Sequence, residues 1–410
     1  MSYTFPTSVL AKKVIYLVYI ASMAGVLIGG LWLYILWETP LSNVSTYISL
    51  HPSIMYYMVL LPFIMGVAYT FIPAFWNYKA SLKYALSTVA LLVSGEATQV
   101  ILVFNSIYTP YPTIASTLGA GIFALYILSR IRLNNRVYRS ADLYIALSMS
   151  TLLFILGYRV YYMFIYGSPL ILNEYRYDHL FLTGFVVSLI IGVSVRTMKF
   201  KFTYVRDSIL KYSFILHILG IILTILSLVL NRYMFFSLAA ILFLLSISIY
   251  GIAYNIFERY PGNEYASRMR ERDWIRYRYF TRHLNMAGLW LYTSYILLII
   301  YLAIPSILPS PDILIWDASL HSLTLGFIGN FIYAYGGIML PPIILRKPAY
   351  RNLSYTPMIM LNTAVLLRII TDLINIFKGS YMAILHTSLI IASLTYFIIM
   401  LTRLFNEEVK

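Results

Sequence analysis

The sequence predicts an all-α integral membrane protein of twelve transmembrane helices, and three observations carry that prediction. Of the 410 residues, 60% are hydrophobic and only 11% are charged, with a mean hydropathy of +0.78, whereas a soluble domain carries about 25% charged residues. Twelve apolar runs are each long enough to cross the bilayer, since about 20 residues of helix span roughly 30 Å of hydrocarbon. The Lys and Arg residues fall in alternate loops, as retention of basic loops on the cytoplasmic side requires. Residues 1–410 therefore read as one polytopic membrane domain with both termini cytoplasmic.

In chain order the runs lie near 14–37, 52–76, 82–104, 111–133, 141–166, 177–198, 207–230, 233–257, 283–305, 317–341, 354–377 and 380–403. The first follows MSYTFPTSVLAKKV, which has a short polar flank and no small-residue cleavage site, so it reads as a retained anchor. The second, sixth and tenth each open on a histidine: His51, His179 and His321. The third carries Glu96, the fifth Arg159, the seventh His217, the ninth opens on His283, the eleventh carries Arg368 and Asp372, and the twelfth His386. The fourth and eighth runs are apolar spans without a singled-out polar group. All but five of the 30 Lys and Arg residues fall on the inner side in this arrangement, the exceptions being Arg159, Arg176, Arg232, Arg368 and Lys378. The longest loop, about 258–282, is rich in both signs of charge and reads as a solvated, topology-setting face, with a docking surface for a cytoplasmic partner as the alternative.

Composition also excludes functions. With no cysteine, disulfides, thiolate metal sites and cysteine-bound iron–sulfur clusters are ruled out, and any metal must rest mainly on histidine nitrogen. The net charge of +15 is spread over short loops rather than clustered on a soluble face, so it reports topology and not nucleic-acid binding.

The three opening histidines recur at intervals of 128 and 142 residues, four helices apart each time, which points to three four-helix units about a pseudo-threefold axis. Even-numbered helices run inward, so His51, His179, His321 and also His386 are expected near the outer leaflet. Imidazole is the commonest metal ligand and a common axial ligand of haem iron, and recurrence favours that role for His51 and His321. His179, His217 and His386 are candidates for a second metal. Arg159 and Arg368 lie at the same depth, where guanidinium could neutralise haem propionates; snorkelling, or for Arg368 the i,i+4 pair with Asp372, is the alternative. Glu96 reads as a protonatable relay or as a neutral packing residue. Gly66, Gly326, Gly329, Gly336 and Gly337 would let helices, or a flat macrocycle, approach closely.

Helix two, with His51, Met55, Pro62 and Gly66, and helix ten, HSLTLGFIGNFIYAYGGIMLP with His321, resemble the two helices of the haem-copper oxidase catalytic subunit that ligate the low-spin haem. The second segment is still more similar to the HALTVGAIG motif of the NnrS family, twelve-helix haem- and copper-containing membrane proteins linked to nitric oxide metabolism. TFIPAFW, RHLNMAGLW with His283, and Arg368 carry the same likeness. The resemblance implies a haem-copper-oxidase-like fold, a haem b held by His51 and His321 with Arg159 and Arg368 near its propionates, and copper as a second cofactor. It implies electron transfer or nitric oxide handling, as a haem-dependent oxidoreductase or an auxiliary subunit of a larger membrane complex with a redox partner on the outer face. Two departures argue against a complete terminal oxidase: Ser319 stands where a second helix-ten histidine is needed, and His179 with a single His217 falls short of three copper ligands. A solute transporter lined by Glu96, Arg368 and Asp372, or a cofactor-free structural subunit, are the readings from other classes.

Overall fold

The structure is a computed structural model, and it describes residues 8–38, 45–76, 78, 80–105, 107–131, 139–168, 174–198, 207–254, 270–303, 313–345, 353–374 and 380–406. Most of the long charged loop, 255–269, and the basic residues Lys79, Arg132, Arg136, Lys199, Lys201, Arg206, Arg259, Arg268, Arg346, Lys347, Arg351, Lys378 and Lys410 lie outside the described residues. Every described regular element is helical, and twelve of the helices are long and apolar enough to cross a membrane. The predicted class is therefore borne out.

We number these helices α1 (Ser8–Glu38), α2 (45–75), α3 (Leu82–Phe104), α4 (Tyr111–Leu128), α5 (Arg139–Tyr166), α6 (175–198), α7 (Asp207–Leu230), α8 (Tyr233–Tyr254), α9 (Glu271–Ala303), α10 (313–345), α11 (Thr356–Leu373) and α12 (Ser380–Asn406). Their ends depart from the apolar runs where helix continues past the hydrocarbon. α9 begins at Glu271, twelve residues ahead of its apolar run, because a charged segment can remain helical in water and Glu271 and Asp273 suit the positive end of the helix dipole. α4 and α11 each start with a proline in the first turn, Pro112 and Pro357, where the missing N–H costs nothing.

The threefold repeat reappears in the backbone. Each histidine-opened helix changes from α to π winding within four residues of its histidine: Met55–Leu60 after His51, Leu180–Val187 after His179, and Ser322–Gly329 after His321. The Leu61 N–H reaches back five residues to the Tyr56 carbonyl, and the Ser188 N–H reaches Thr183 in the same way. Such segments are rare and are frequent at functional sites. Apolar periodicity does not reveal them, and the histidines stand one to two turns inside their helices rather than at the ends.

The helices group into two compact units, residues 1–134 with 146–175 and residues 135–145 with 176–410. In the first, α3 and α4 meet backbone to backbone. A Cβ on Gly95 would stand 2.6 Å from the Pro112 carbonyl oxygen, and one on Gly119 2.6 Å from that of Thr88. Gly95→Ala is thus expected to force the two helices apart and cost about 1–3 kcal/mol, read as a lower unfolding midpoint in detergent micelles; an unchanged midpoint would contradict this contact.

In the second unit, α7 and α8 form an antiparallel pair turned through Asn231, whose φ of 51° is left-handed. Arg176 closes that turn: it donates to the Ser227 carbonyl at 2.8 Å and to Asn231 Oδ1 at 3.0 Å, and lies 4.5 Å over the Tyr233 ring. One of the arginines that departs from the basic-loop rule is therefore a staple. Asp142, on the first turn of α5, holds Arg196 of α6 through two hydrogen bonds of 2.8 and 2.9 Å.

Candidate functional site

The densest polar cluster of the second unit joins α10, α11 and α12. Asp317 and His321 are one turn apart on α10, and Arg368 and Asp372 are one turn apart on α11, so each pair shares a helix face. Arg368 donates through Nε and Nη2 to Asp317 Oδ2, the Nε bond being 2.9 Å. The same Nε lies 3.0 Å from Asp372 Oδ2. That second approach is a close contact without good alignment, and among the described residues neither oxygen of Asp372 has a hydrogen-bond partner although the residue is 2% exposed. Trp290, Leu297, Ala318, Val365 and Ile369 form an apolar core on the same helices and α9.

Asp317 also orients the histidine. His321 Nδ1 lies 3.0 Å from the Asp317 carbonyl oxygen and 3.1 Å from its carboxylate Oδ2. A carbonyl only accepts, so Nδ1 carries the hydrogen and the lone pair is on Nε2. A carboxylate behind an imidazole in this manner fixes the ring and raises its basicity as a ligand. His386 is held alike, with Nδ1 2.9 Å from the Ala364 carbonyl oxygen, and its ring centre is 6.2 Å from that of His321 with the planes 75° apart. The sequence reading paired Arg368 with Asp372 alone; Asp317 was missed, though its i,i+4 spacing from His321 was there to be used.

In the first unit, His51 lies against α1. Its Nδ1 is 2.8 Å from the Gly25 carbonyl oxygen, and a Cβ on Gly29 would fall 2.6 Å from its Cε1. Gly25 would meet Met55 Sδ at 2.7 Å. The GVLIGG stretch of α1 thus seats the imidazole, a role that reading α2 by itself did not expose. Leu50, Ile54 and Val103 pack around this seat. His51 and His321 belong to different units.

Arg159 does not snorkel. It is 2% exposed and paired with Glu96, the second bond running from Nη2 to Oε2 at 3.0 Å, with its guanidinium 4.0 Å over the Tyr57 ring. Glu96 is accordingly the counter-ion of Arg159. Beside them, Thr113 donates to Gln99 Oε1 at 2.8 Å.

The remaining histidines have separate surroundings. His217 has hydroxyls at both nitrogens, Ser188 at 2.9 Å from Nε2 and Ser246 at 3.5 Å from Nδ1, and it packs edge-on to Tyr144 and Phe243. His179 is 1% exposed beside Phe236, with no hydrogen-bond partner at either nitrogen among the described residues. His283 bonds the Tyr279 carbonyl oxygen at 2.8 Å. Among the described residues no three His, Asp or Glu side chains are grouped to hold a metal ion, so the expected second site of His179, His217 and His386 is not assembled. The glycines of α10 are likewise occupied: Cβ atoms there would meet Trp290 at Gly326, Leu361 at Gly329, Phe397 at Gly336 and Tyr279 at Gly337, while Gly66 of α2 is filled by Val14. Helix packing accounts for them.

No curated protein matches the chain. A family model described as a domain of unknown function, DUF8744, matches residues 180–403, more than half of the 410. The chain belongs to the DUF8744 family. In this DUF8744 protein the matched stretch contains Asp317, His321, Arg368, Asp372 and His386, and starts one residue after His179. Among solved structures the chain is similar to a haem-copper terminal oxidase seen as a dimer by cryo-EM, at 12% identity and a TM-score of 0.49, over 100% of this chain and 86% of that one.

Proposed function

We propose that this protein is a haem-binding membrane redox protein of NnrS and haem-copper-oxidase-like type, acting in electron transfer or nitric oxide handling, and not a complete terminal oxidase. The observation that carries the reading is the presentation of His321: Asp317 accepts a hydrogen bond from Nδ1–H, which leaves the lone pair on Nε2 for a metal. His51, with Nδ1 on the Gly25 carbonyl oxygen, has the same tautomer. Each imidazole, taken within its own unit, would offer an iron a neutral nitrogen donor. The arginines do not fit its propionates, because Arg159 is engaged by Glu96 and Arg368 by Asp317 and Asp372; a propionate would have to displace a carboxylate from either one. The filled glycines of α10 offer no ready cradle for the macrocycle edge. When bound, haem supplies one-electron chemistry and, with an open coordination position, a site for a diatomic ligand.

The remaining parts of the proposal follow from the sequence: a cell-membrane location with cytoplasmic termini, a redox partner on the outer face, membership of a larger membrane complex, and copper as a second cofactor. The optical spectrum of protein purified from haem-replete membranes tests the core of it. A Soret band with sharp reduced α and β bands is expected, and protein without them would end the haem reading. In that event the buried charges Glu96, Arg159, Asp317, Arg368 and Asp372 favour a transporter, since intramembrane ionisable groups commonly mark a solute or proton path.

A further inference from the structure

Within the second unit, the imidazole that accompanies His321 is His386, on a helix where the sequence resemblance places no haem ligand. We infer that His321 and His386 together hold one first-row transition-metal centre, with Nε2 of each as the ligand atom. The inference rests on the proposed function for the identity of that centre as haem iron, but the pairing stands on its own geometry. Its shared chemistry is a metal that prefers neutral nitrogen donors, whether the iron of a haem or bare copper.

Two observations converge. Both rings have Nδ1 directed at a backbone carbonyl oxygen, Asp317 for His321 and Ala364 for His386, so both carry the lone pair on Nε2. Two such coincidences in one cluster are what a two-imidazole site requires, because the carbonyls fix tautomer and ring angle before the metal arrives. The ring centres are 6.2 Å apart. Two imidazoles sharing one metal can hold their centres up to about 6.5 Å apart, given a metal–nitrogen length of about 2.1 Å and about 1.2 Å from nitrogen to ring centre. The observed separation is within that reach.

The test uses the full chain in detergent micelles, with His51→Asn, His321→Asn and His386→Asn variants and His386→Gly supplied with free imidazole. If the protein is isolated with haem, low-spin α and β bands are expected to be lost in the His321 and His386 variants and restored to His386→Gly by imidazole. If it is isolated without haem, chelator-stripped protein is titrated with copper(II). The paramagnetic resonance spectrum is then expected to show coupling to two imidazole nitrogens, reduced to one in His386→Asn. This second result would support the pair while ending the haem reading. Low-spin bands that survive in His386→Asn but vanish in His51→Asn would overturn the pair and leave the haem reading intact. Protein that takes up neither haem nor copper(II) would overturn both. Imidazole rescue separates a lost ligand from a misfolded variant, because a collapsed site would not be restored by the free ring.

Discussion

Arg368→Met is expected to destabilise the folded protein by about 3–5 kcal/mol, the range for removing one partner of a buried ion pair. Asp317 and Asp372 would be left without the guanidinium that both approach. Asp372→Asn is expected to act in the opposite direction. It puts an uncharged group of the same shape at a buried position while Arg368 keeps Asp317, so stability should be unchanged or increased. Asp317→Asn falls between, because Arg368 retains one carboxylate but His321 loses the charge behind its Nδ1. Unfolding midpoints of the three variants in micelles check the order. If Arg368→Met unfolds within about 1 kcal/mol of the parent protein, the cluster does not carry the charges assigned to it.

The second large effect concerns Glu96 and Arg159. Either single replacement, Glu96→Gln or Arg159→Met, strands a charge at a buried position and is expected to cost about 3–5 kcal/mol. The double replacement should recover much of that loss, since exchanging both members of a buried pair for neutral groups is often close to harmless. A double-mutant cycle therefore predicts a coupling well above the usual range for independent sites, about 0.5 kcal/mol. Additive single effects would mean that the pair does not form. Tyr57→Leu should weaken the fold by about 0.5–2 kcal/mol through loss of the ring beneath the guanidinium.

These two clusters mark how far the sequence could be read. Glu96 and Arg159 are 63 residues apart, and each had a plausible solitary explanation, as a relay and as a snorkelling cation. Their pairing requires α3 and α5 to present those faces to each other, which no periodicity encodes. Arg368 with Asp372 was legible because i,i+4 spacing on one helix is local geometry. Asp317 was legible by the same rule and was overlooked. The carbonyls of Gly25 and Ala364 were not legible at all, because any residue supplies a carbonyl and only the fold selects which one meets an imidazole.

The repeat of His51, His179 and His321 shows the same division. Their spacing is visible in the chain, and the backbone answers it with a π-helical segment after each. Their surroundings then differ: a glycine-lined seat for His51, the Phe236 ring beside His179, and a carboxylate support for His321. Similar positions in the chain do not have similar chemistry.

Membrane class and the number and approximate limits of the spans were properties of the chain alone, because burial in hydrocarbon acts on each segment through its own length and polarity. What only the tertiary structure decided was the partner of each polar side chain. A buried charge or imidazole is stabilised by whatever stands within about 3 Å of it, and at Arg159, Arg368 and His386 that neighbour comes partly or wholly from another helix.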